Sequence, residues 1–145
     1  MTEHPLVGTW RLVSYEERDE DGGVTHPLGR DAVGFLTYTA DGDMAGQLGR
    51  ADRAPVSVGD WEAAPEAEVA AAARAYFAYC GTYEVRGDTV VHRVGLCLMP
   101  NWIGGDQVRA VALDGDSLTL SASFMASDGR QQTASLVWHR AHPRS

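Results

Sequence analysis

Aspartate and glycine recur side by side along this chain, mostly between short runs that are rich in Val, Leu, Thr, Tyr or Phe. Tight hairpin turns need backbone angles that Gly, Asn and Asp tolerate. The pattern therefore predicts a series of antiparallel hairpins. The turn candidates are Asp21-Gly22, Asp41-Gly42, Gly87-Asp88, Asp114-Gly115-Asp116 and Asp128-Gly129.

The runs between these turns predict nine strands, the second of them weak. Eight or nine strands in 145 residues favour a closed barrel, because closure removes exposed strand edges. We predict a mainly β protein, a single antiparallel up-and-down β-barrel, with one domain over residues 6–141 and tails at 1–5 and 142–145. The predicted strands are Gly8–Glu17, Val24–His26, Val33–Thr39, Asp43–Gly49, Gly81–Arg86, Thr89–Leu98, Asp106–Asp114, Ser117–Phe124 and Gln131–Arg140.

One segment departs from the strand pattern and predicts a single α-helix over about 65–79. It begins with Pro65, carries acidic residues in its first turn and continues through an alanine run to Gly81. Such start and stop signals are typical of a helix. Val69, Ala73, Tyr76 and Cys80 would share its apolar face. We expect this helix to lie across one open end of the barrel, and the loop 50–64 to help gate that end.

Composition excludes several partners. The chain has 12 Lys and Arg against 20 Asp and Glu, a formal net charge of −8, and no basic run. Binding to nucleic acid or to anionic membrane surfaces is therefore not expected.

The first residues do not resemble a signal peptide, and no apolar stretch is long enough for a membrane span, so a cytoplasmic location is predicted. Val91 and Val137, expected on the outer face, leave a homodimer open.

Alternation predicts which side chains face the interior, since successive residues of a strand point to opposite faces. Counting from the hairpin turns gives a mostly apolar interior and places Cys97 outside. The interior set is Leu36, Tyr38, Met44, Leu48, Tyr83, Val85, Val90, Val94, Leu96, Leu98, Val111, Leu113, Leu118, Leu120, Ala122, Phe124, Leu136 and Trp138.

Four polar side chains share these interior positions: His92, Gln107, Arg109 and Arg140. A desolvated guanidinium needs a carboxylate, carbonyl groups, an aromatic face or a ligand. No inward position on the neighbouring strands offers Arg109 a carboxylate, which points to a bound molecule. Two alternatives stay open: His92 is a core histidine satisfied by the protein itself, or Arg109 extends into solvent at the barrel end.

The first and last strands carry a further pattern. Gly8-Thr9-Trp10 opens the first strand, and Arg140 lies near the end of the last. This resembles the lipocalins (calycin-type barrels), in which the Trp closes one barrel end and the Arg packs across its ring. Over about residues 6–141 the chain is similar to the bacterial and fungal lipocalin-like domain family. The resemblance is carried by residues 6–15, 33–42, 79–83 and 100–104, followed by Gln107 and Arg109.

Two functions from different classes fit this interior. The first is a protein that binds a small, largely apolar molecule with one polar or anionic end inside the barrel. The second, which the resemblance implies for some relatives, is a cofactor-free cyclase or isomerase of secondary metabolism, with His92 moving a proton and Arg109 stabilising an oxyanion. A structural interaction module is a third, weaker alternative. No cofactor is expected, and the histidine spacings show no metal site. The candidate ligand-binding residues are His92, Gln107, Arg109, Trp102, Asn101, Tyr38, Met44, Tyr76, Tyr79, Tyr83, Leu96, Phe124 and Trp138.

Overall fold

The computed structural model describes residues 3–143. Over that range it contains nine strands, one α-helix and two single-turn 3-10 helices, at Trp61–Ala63 and Pro100–Trp102. Residues 1–2 and 144–145 of the predicted tails lie outside it. The elements are β1 Gly8–Asp19, β2 Val24–Thr25, β3 Val33–Tyr38, β4 Asp43–Gly49, α1 Glu66–Arg74, β5 Tyr76–Arg86, β6 Thr89–Cys97, β7 Asp106–Asp114, β8 Ser117–Met125 and β9 Gln131–Arg140.

Eight of the strands form a closed antiparallel barrel, which confirms the predicted fold class. Neighbouring strands pair in the order β1, β3, β4, β5, β6, β7, β8, β9, and β9 pairs with β1 to close the ring. The short β2 pairs only with the far end of β1. The hairpin turns contain glycines with positive φ, among them Gly42 at 98° and Gly115 at 60°, as the turn chemistry predicts.

The helix is shorter than the sequence predicts. It ends at Arg74, and β5 already begins at Tyr76. The predicted helical face is wrong in its second half, because Tyr76 and Cys80 lie on a strand rather than on the helix. The aromatic run that starts at Tyr76 favours extended backbone, and pairing with β4 from Gly49 onward stabilises it there.

A β-bulge in β6 reverses part of the predicted alternation. Cys80 pairs with Leu96 but the next residue, Gly81, pairs with Val94, so Gly95 has no partner on β5. An extra residue shifts the face of every residue beyond it. Leu96 therefore points outward and is 64% exposed, whereas Cys97 is buried. The prediction that Leu96 faces the interior and Cys97 the exterior is wrong for this reason.

The other end of β8 also differs from expectation. Phe124 keeps the inward phase of its strand, yet its side chain is exposed. Pairing of β8 with β7 stops at Ser121, whereas pairing with β9 continues to Met125. Phe124 therefore projects beyond the barrel wall, and its predicted place in the lumen is wrong.

On the outer face, Val91 is buried and Val137 is half-buried. Neither is therefore the exposed apolar position that the sequence suggested for a dimer interface.

In residues 3–143, no helix has the length and apolar character needed to cross a bilayer.

One end of the barrel is closed by a tryptophan and an arginine. The guanidinium of Arg140 lies 4.2 Å from the centroid of the fully buried Trp10 ring. Arg140 also donates to the carbonyls of Pro5 and Val7 and to the carboxylate of Asp116. The Trp10 indole donates to the carbonyl of Leu6 at 2.9 Å. A buried cation with all these partners is satisfied within the protein, so Arg140 offers nothing to a ligand.

Candidate functional site

The interior contains a cavity of about 140 Å³, which we call the inner cavity. Its walls are mostly aliphatic and aromatic, and its polar side chains come mainly from β1, β5, β6 and β7. A cavity of roughly 150 Å³ with apolar walls admits a benzene ring, so the inner cavity has room for one ring of a small molecule. The residues around it are Tyr15, Leu36, Met44, Gly46, Gln47, Leu48, Phe77, Tyr79, His92, Trp102, Arg109, Leu120, Ala134, Leu136 and Trp138.

A second cavity of about 440 Å³, the outer vestibule, shares four of these wall residues with the inner cavity. The remaining vestibule residues come from the loop before β3, from the end of α1, from the start of β5 and from the segment after β6: Pro27, Leu28, Ala73, Arg74, Tyr76, Leu98 and Met99. The helix therefore borders the open end of the barrel. No residue of the loop 50–64 borders either cavity in the described structure, so the gating role predicted for that loop gains no support.

Aromatic rings form the neck between the two cavities. Trp102 lies in the 3-10 turn after β6, with its ring centroid 5.0 Å from that of Phe77 and 5.8 Å from that of Tyr79. The two pairs adopt edge or tilted geometries, in which aromatic rings attract one another. Phe77 and Trp102 border both cavities, and Tyr79 borders the inner one.

A buried histidine joins two tyrosines at the inner wall. Nε2 of His92 lies 2.6 Å from the hydroxyl of Tyr38, and Nδ1 lies 2.5 Å from the hydroxyl of Tyr79. Burial, with a smaller effect of the nearby Arg109 charge, lowers the pKa of His92 to about 3. Burial raises the pKa of Tyr79 to about 12 and that of Tyr38 well above its ordinary value. All three groups are therefore neutral near pH 7.

Arg109 brings the positive charge of the inner cavity. Its Nη1 donates to the carbonyl of Val108 at 3.0 Å, and its Nη2 donates to the side-chain oxygen of Gln107 at 3.3 Å. None of the ion pairs in residues 3–143 includes it. The half-buried guanidinium thus retains N–H groups without a protein acceptor.

The structure brings together about half of the predicted site residues. Six border the inner cavity, and Tyr38 touches that wall through its hydrogen bond to His92. Tyr76 borders the vestibule, Gln107 contacts Arg109, and Asn101 is exposed. The Tyr83 hydroxyl donates to the Thr39 carbonyl away from the cavity, while Leu96 and Phe124 lie outside the barrel interior. The six are His92, Arg109, Trp102, Met44, Tyr79 and Trp138.

Two large aromatic residues of the site were missed. A bulge in β1 shifts the register between Leu12 and Ser14, which places Tyr15 on the inner face, where simple alternation from Trp10 would not place it. Phe77 was assigned to the helix. Its signal was available, because alternation backward from Tyr83 along an extended β5 reaches it. In the described part of the chain, no cluster of three or more metal-ligating side chains occurs.

Comparison with known protein families agrees with the barrel fold. Over 82 residues the chain is 37% identical to the 4'-hydroxy-3'-methoxypropiophenone carrier protein of Aspergillus oryzae, covering 50% of this chain and 74% of that protein. The crystal structure of the lipoprotein YedD from Klebsiella pneumoniae aligns with 99% of this chain and 77% of its own, at 12% identity and a TM-score of 0.44. The family model of the lipocalin-like domain matches residues 7–141. The chain belongs to the lipocalin-like domain family.

Proposed function

We propose that this protein binds a small, largely apolar molecule, with one aromatic or similarly sized end in the inner cavity and the rest in the vestibule. The observation that carries the proposal is a cavity of about 140 Å³ beside the half-buried Arg109, which has no carboxylate partner among residues 3–143. Pockets that combine apolar walls with a few convergent polar groups are typical ligand sites.

The related carrier protein supports this function and suggests a ligand class. Its name gives an aromatic ketone as its cargo. A ketone of this kind combines one aromatic ring with polar oxygens, among them a carbonyl, which fits the size and polarity of the inner cavity. We therefore infer a carrier or binding role for a small aromatic carbonyl compound, in keeping with a cytoplasmic protein of secondary metabolism.

The geometry favours binding over the cyclase or isomerase alternative. Both ring nitrogens of His92 are engaged by tyrosine hydroxyls, so neither nitrogen is available to take a proton from a guest. General acid–base catalysis also works best with a pKa near the working pH, whereas that of His92 is about 3. A purely structural module is disfavoured as well, because the protein's own side chains leave the interior partly open.

Calorimetric titration with propiophenone and with the hydrocarbon propylbenzene tests the proposal. We expect saturable one-to-one binding of both probes, because each carries one ring of the right size. Ala134 borders the inner cavity, so Ala134→Leu should fill it and abolish binding of both. The same substitution at the exposed Ala112 of β7 is the matched control and should leave binding unchanged.

Two outcomes would contradict the proposed function. One is the absence of saturable binding by either probe to the folded wild-type protein. The other is binding that survives Ala134→Leu in a variant whose melting curve remains cooperative. The homodimer that the sequence left open is a separate question, which sedimentation of the purified protein would address.

A further inference from the structure

The hydrogen bonds around His92 have a direction that determines what the inner cavity recognises. A neutral imidazole has one N–H donor and one acceptor nitrogen. His92 contacts one tyrosine hydroxyl through each nitrogen. One tyrosine must therefore donate to the ring, and the other must accept from it.

Burial decides which tyrosine donates. Tyr38 is 1% exposed, and in residues 3–143 the only hydrogen-bond partner of its hydroxyl is Nε2 of His92. If Tyr38 accepted from the ring, its own O–H would be buried without an acceptor, which is the costly arrangement. Tyr38 therefore donates to Nε2, and the proton of the imidazole lies on Nδ1.

The position of the imidazole proton determines the hydrogen-bonding role of Tyr79 at the cavity wall. Nδ1–H of His92 donates to the Tyr79 oxygen, so the Tyr79 O–H remains for another acceptor. Tyr79 is one of the residues that border the inner cavity, whereas Tyr38 is not among them in the described structure. The chain Tyr38, His92, Tyr79 thus presents a hydrogen-bond donor at the cavity wall.

Two other polar side chains of the same wall, Arg109 and Trp138, have hydrogen-bond donors only. Several of the N–H groups of Arg109 lack an acceptor within the described part of the chain. The indole Nε1 of Trp138, which borders the cavity too, is buried without a hydrogen-bond partner in the described structure. The Tyr15 hydroxyl donates to Glu17, so its proton is already used.

We propose that the inner cavity selects molecules whose innermost polar atom is a hydrogen-bond acceptor, such as a carbonyl oxygen, and that Tyr79 is the residue that determines this specificity. His92 and Tyr38 act as positioning residues, because they orient the Tyr79 hydroxyl while both ring nitrogens of His92 are already engaged by the two tyrosines. The inference rests on the proposed binding function and specifies which chemical group is bound.

Paired titrations test this selectivity. Propiophenone and propylbenzene share a ring and a three-carbon chain and differ in the carbonyl oxygen. We expect wild-type protein to bind propiophenone about tenfold more tightly, the factor expected from one well-formed hydrogen bond in a dry site. Tyr79→Phe should reduce this tenfold preference to no more than about twofold, while the affinity for propylbenzene is retained. Tyr83→Phe is the matched control, since the Tyr83 hydroxyl bonds Thr39 away from the cavity, and it should leave the ratio unchanged.

A tautomer measurement provides a second readout that a merely structural role would not move. In protein with ¹⁵N-labelled histidine, long-range proton–nitrogen correlation spectra at neutral pH should show His92 protonated on Nδ1 and unprotonated on Nε2. A proton on Nε2 would overturn the inference, as would equal affinity of wild-type protein for the two probes. If neither probe bound at all, the binding function itself would fail. If both bound equally, the binding function would stand and only the selectivity would be wrong.

Discussion

Acid should destabilise the folded protein through His92. In the unfolded chain this imidazole takes up a proton as the pH falls through 6.5, whereas in the folded chain its pKa is about 3. Between these two values the unfolded state binds more protons than the folded state. The contribution of His92 to the free energy of unfolding is therefore fully present above pH 6.5 and decreases as the pH falls toward 3. A difference of one bound proton changes the free energy of unfolding by about 1.4 kcal/mol per pH unit. His92 alone should therefore lower it by about 3 kcal/mol at pH 4.5.

Urea unfolding of wild type and His92→Gln at pH 7 and pH 4.5 isolates this contribution. Glutamine keeps one donor and one acceptor for the two tyrosines but does not titrate, and the effects of other groups cancel between the two proteins. On acidification from pH 7 to pH 4.5, the free energy of unfolding of the wild-type protein should fall by about 3 kcal/mol more than that of the variant. His139→Gln, on the exposed outer face of β9, controls for the loss of a histidine.

A difference below about 1 kcal/mol, less than one pH unit of proton linkage, would refute the reasoning. If His92→Gln does not fold, the wild-type protein still allows a test. The His92 ring protons should show no titration in NMR spectra between pH 7 and pH 4.5. A midpoint near pH 6 would mean that the imidazole is solvated rather than enclosed by the two tyrosines.

Three further substitutions test the fold. Trp10→Ala should lower the free energy of unfolding by about 3–5 kcal/mol, because the ring is fully buried; a loss under about 1 kcal/mol, the size of a typical substitution, would contradict that packing. Gly81→Ala should cost at least about 1–3 kcal/mol, since an added Cβ would lie 1.9 Å from the carbonyl oxygen of Arg93, and an unchanged melting curve would argue against the close strand approach. Leu96→Ala should change the free energy of unfolding by no more than about 0.5 kcal/mol, whereas Leu120→Ala should lower it by about 2–5 kcal/mol. Equal losses would indicate that the Leu96 side chain faces the barrel interior.

The barrel could be predicted because its information is local. Asp-Gly pairs specify tight turns, and the turns fix which strands are neighbours. The register around them follows, as the pairing of Val85 with Val90 and of Leu113 with Leu118 shows. Where a strand continues without interruption from such a turn, alternation identifies the inward residues, His92 and Arg109 among them.

The remaining site residues depend on features that have weak sequence signals. Gly95 reads as an ordinary strand residue, although it forms the bulge that exchanges the faces of Leu96 and Cys97. The boundary at Ala75 separates helix from strand without a proline or glycine at that position. Tertiary pairing with β4 decides it, and pairing between distant segments cannot be obtained from local propensity.

The irregular point in β6 is also where the neck of the site is built. Next to the bulge at Gly95, Val94 leaves the regular ladder with β7 and bonds the following loop instead: its N–H donates to the carbonyl of Gly105, and its carbonyl accepts from the N–H of Gly104. These two bonds hold the loop whose 3-10 turn carries Trp102, so the aromatic neck is anchored to the bulge. Bulges commonly re-aim side chains next to functional sites. The bulge at Gly95, which interrupts simple alternation, therefore lies beside the residue that anchors the Trp102 loop next to Phe77. Deleting Gly95 should weaken the binding of propiophenone at the neck even if the barrel still closes.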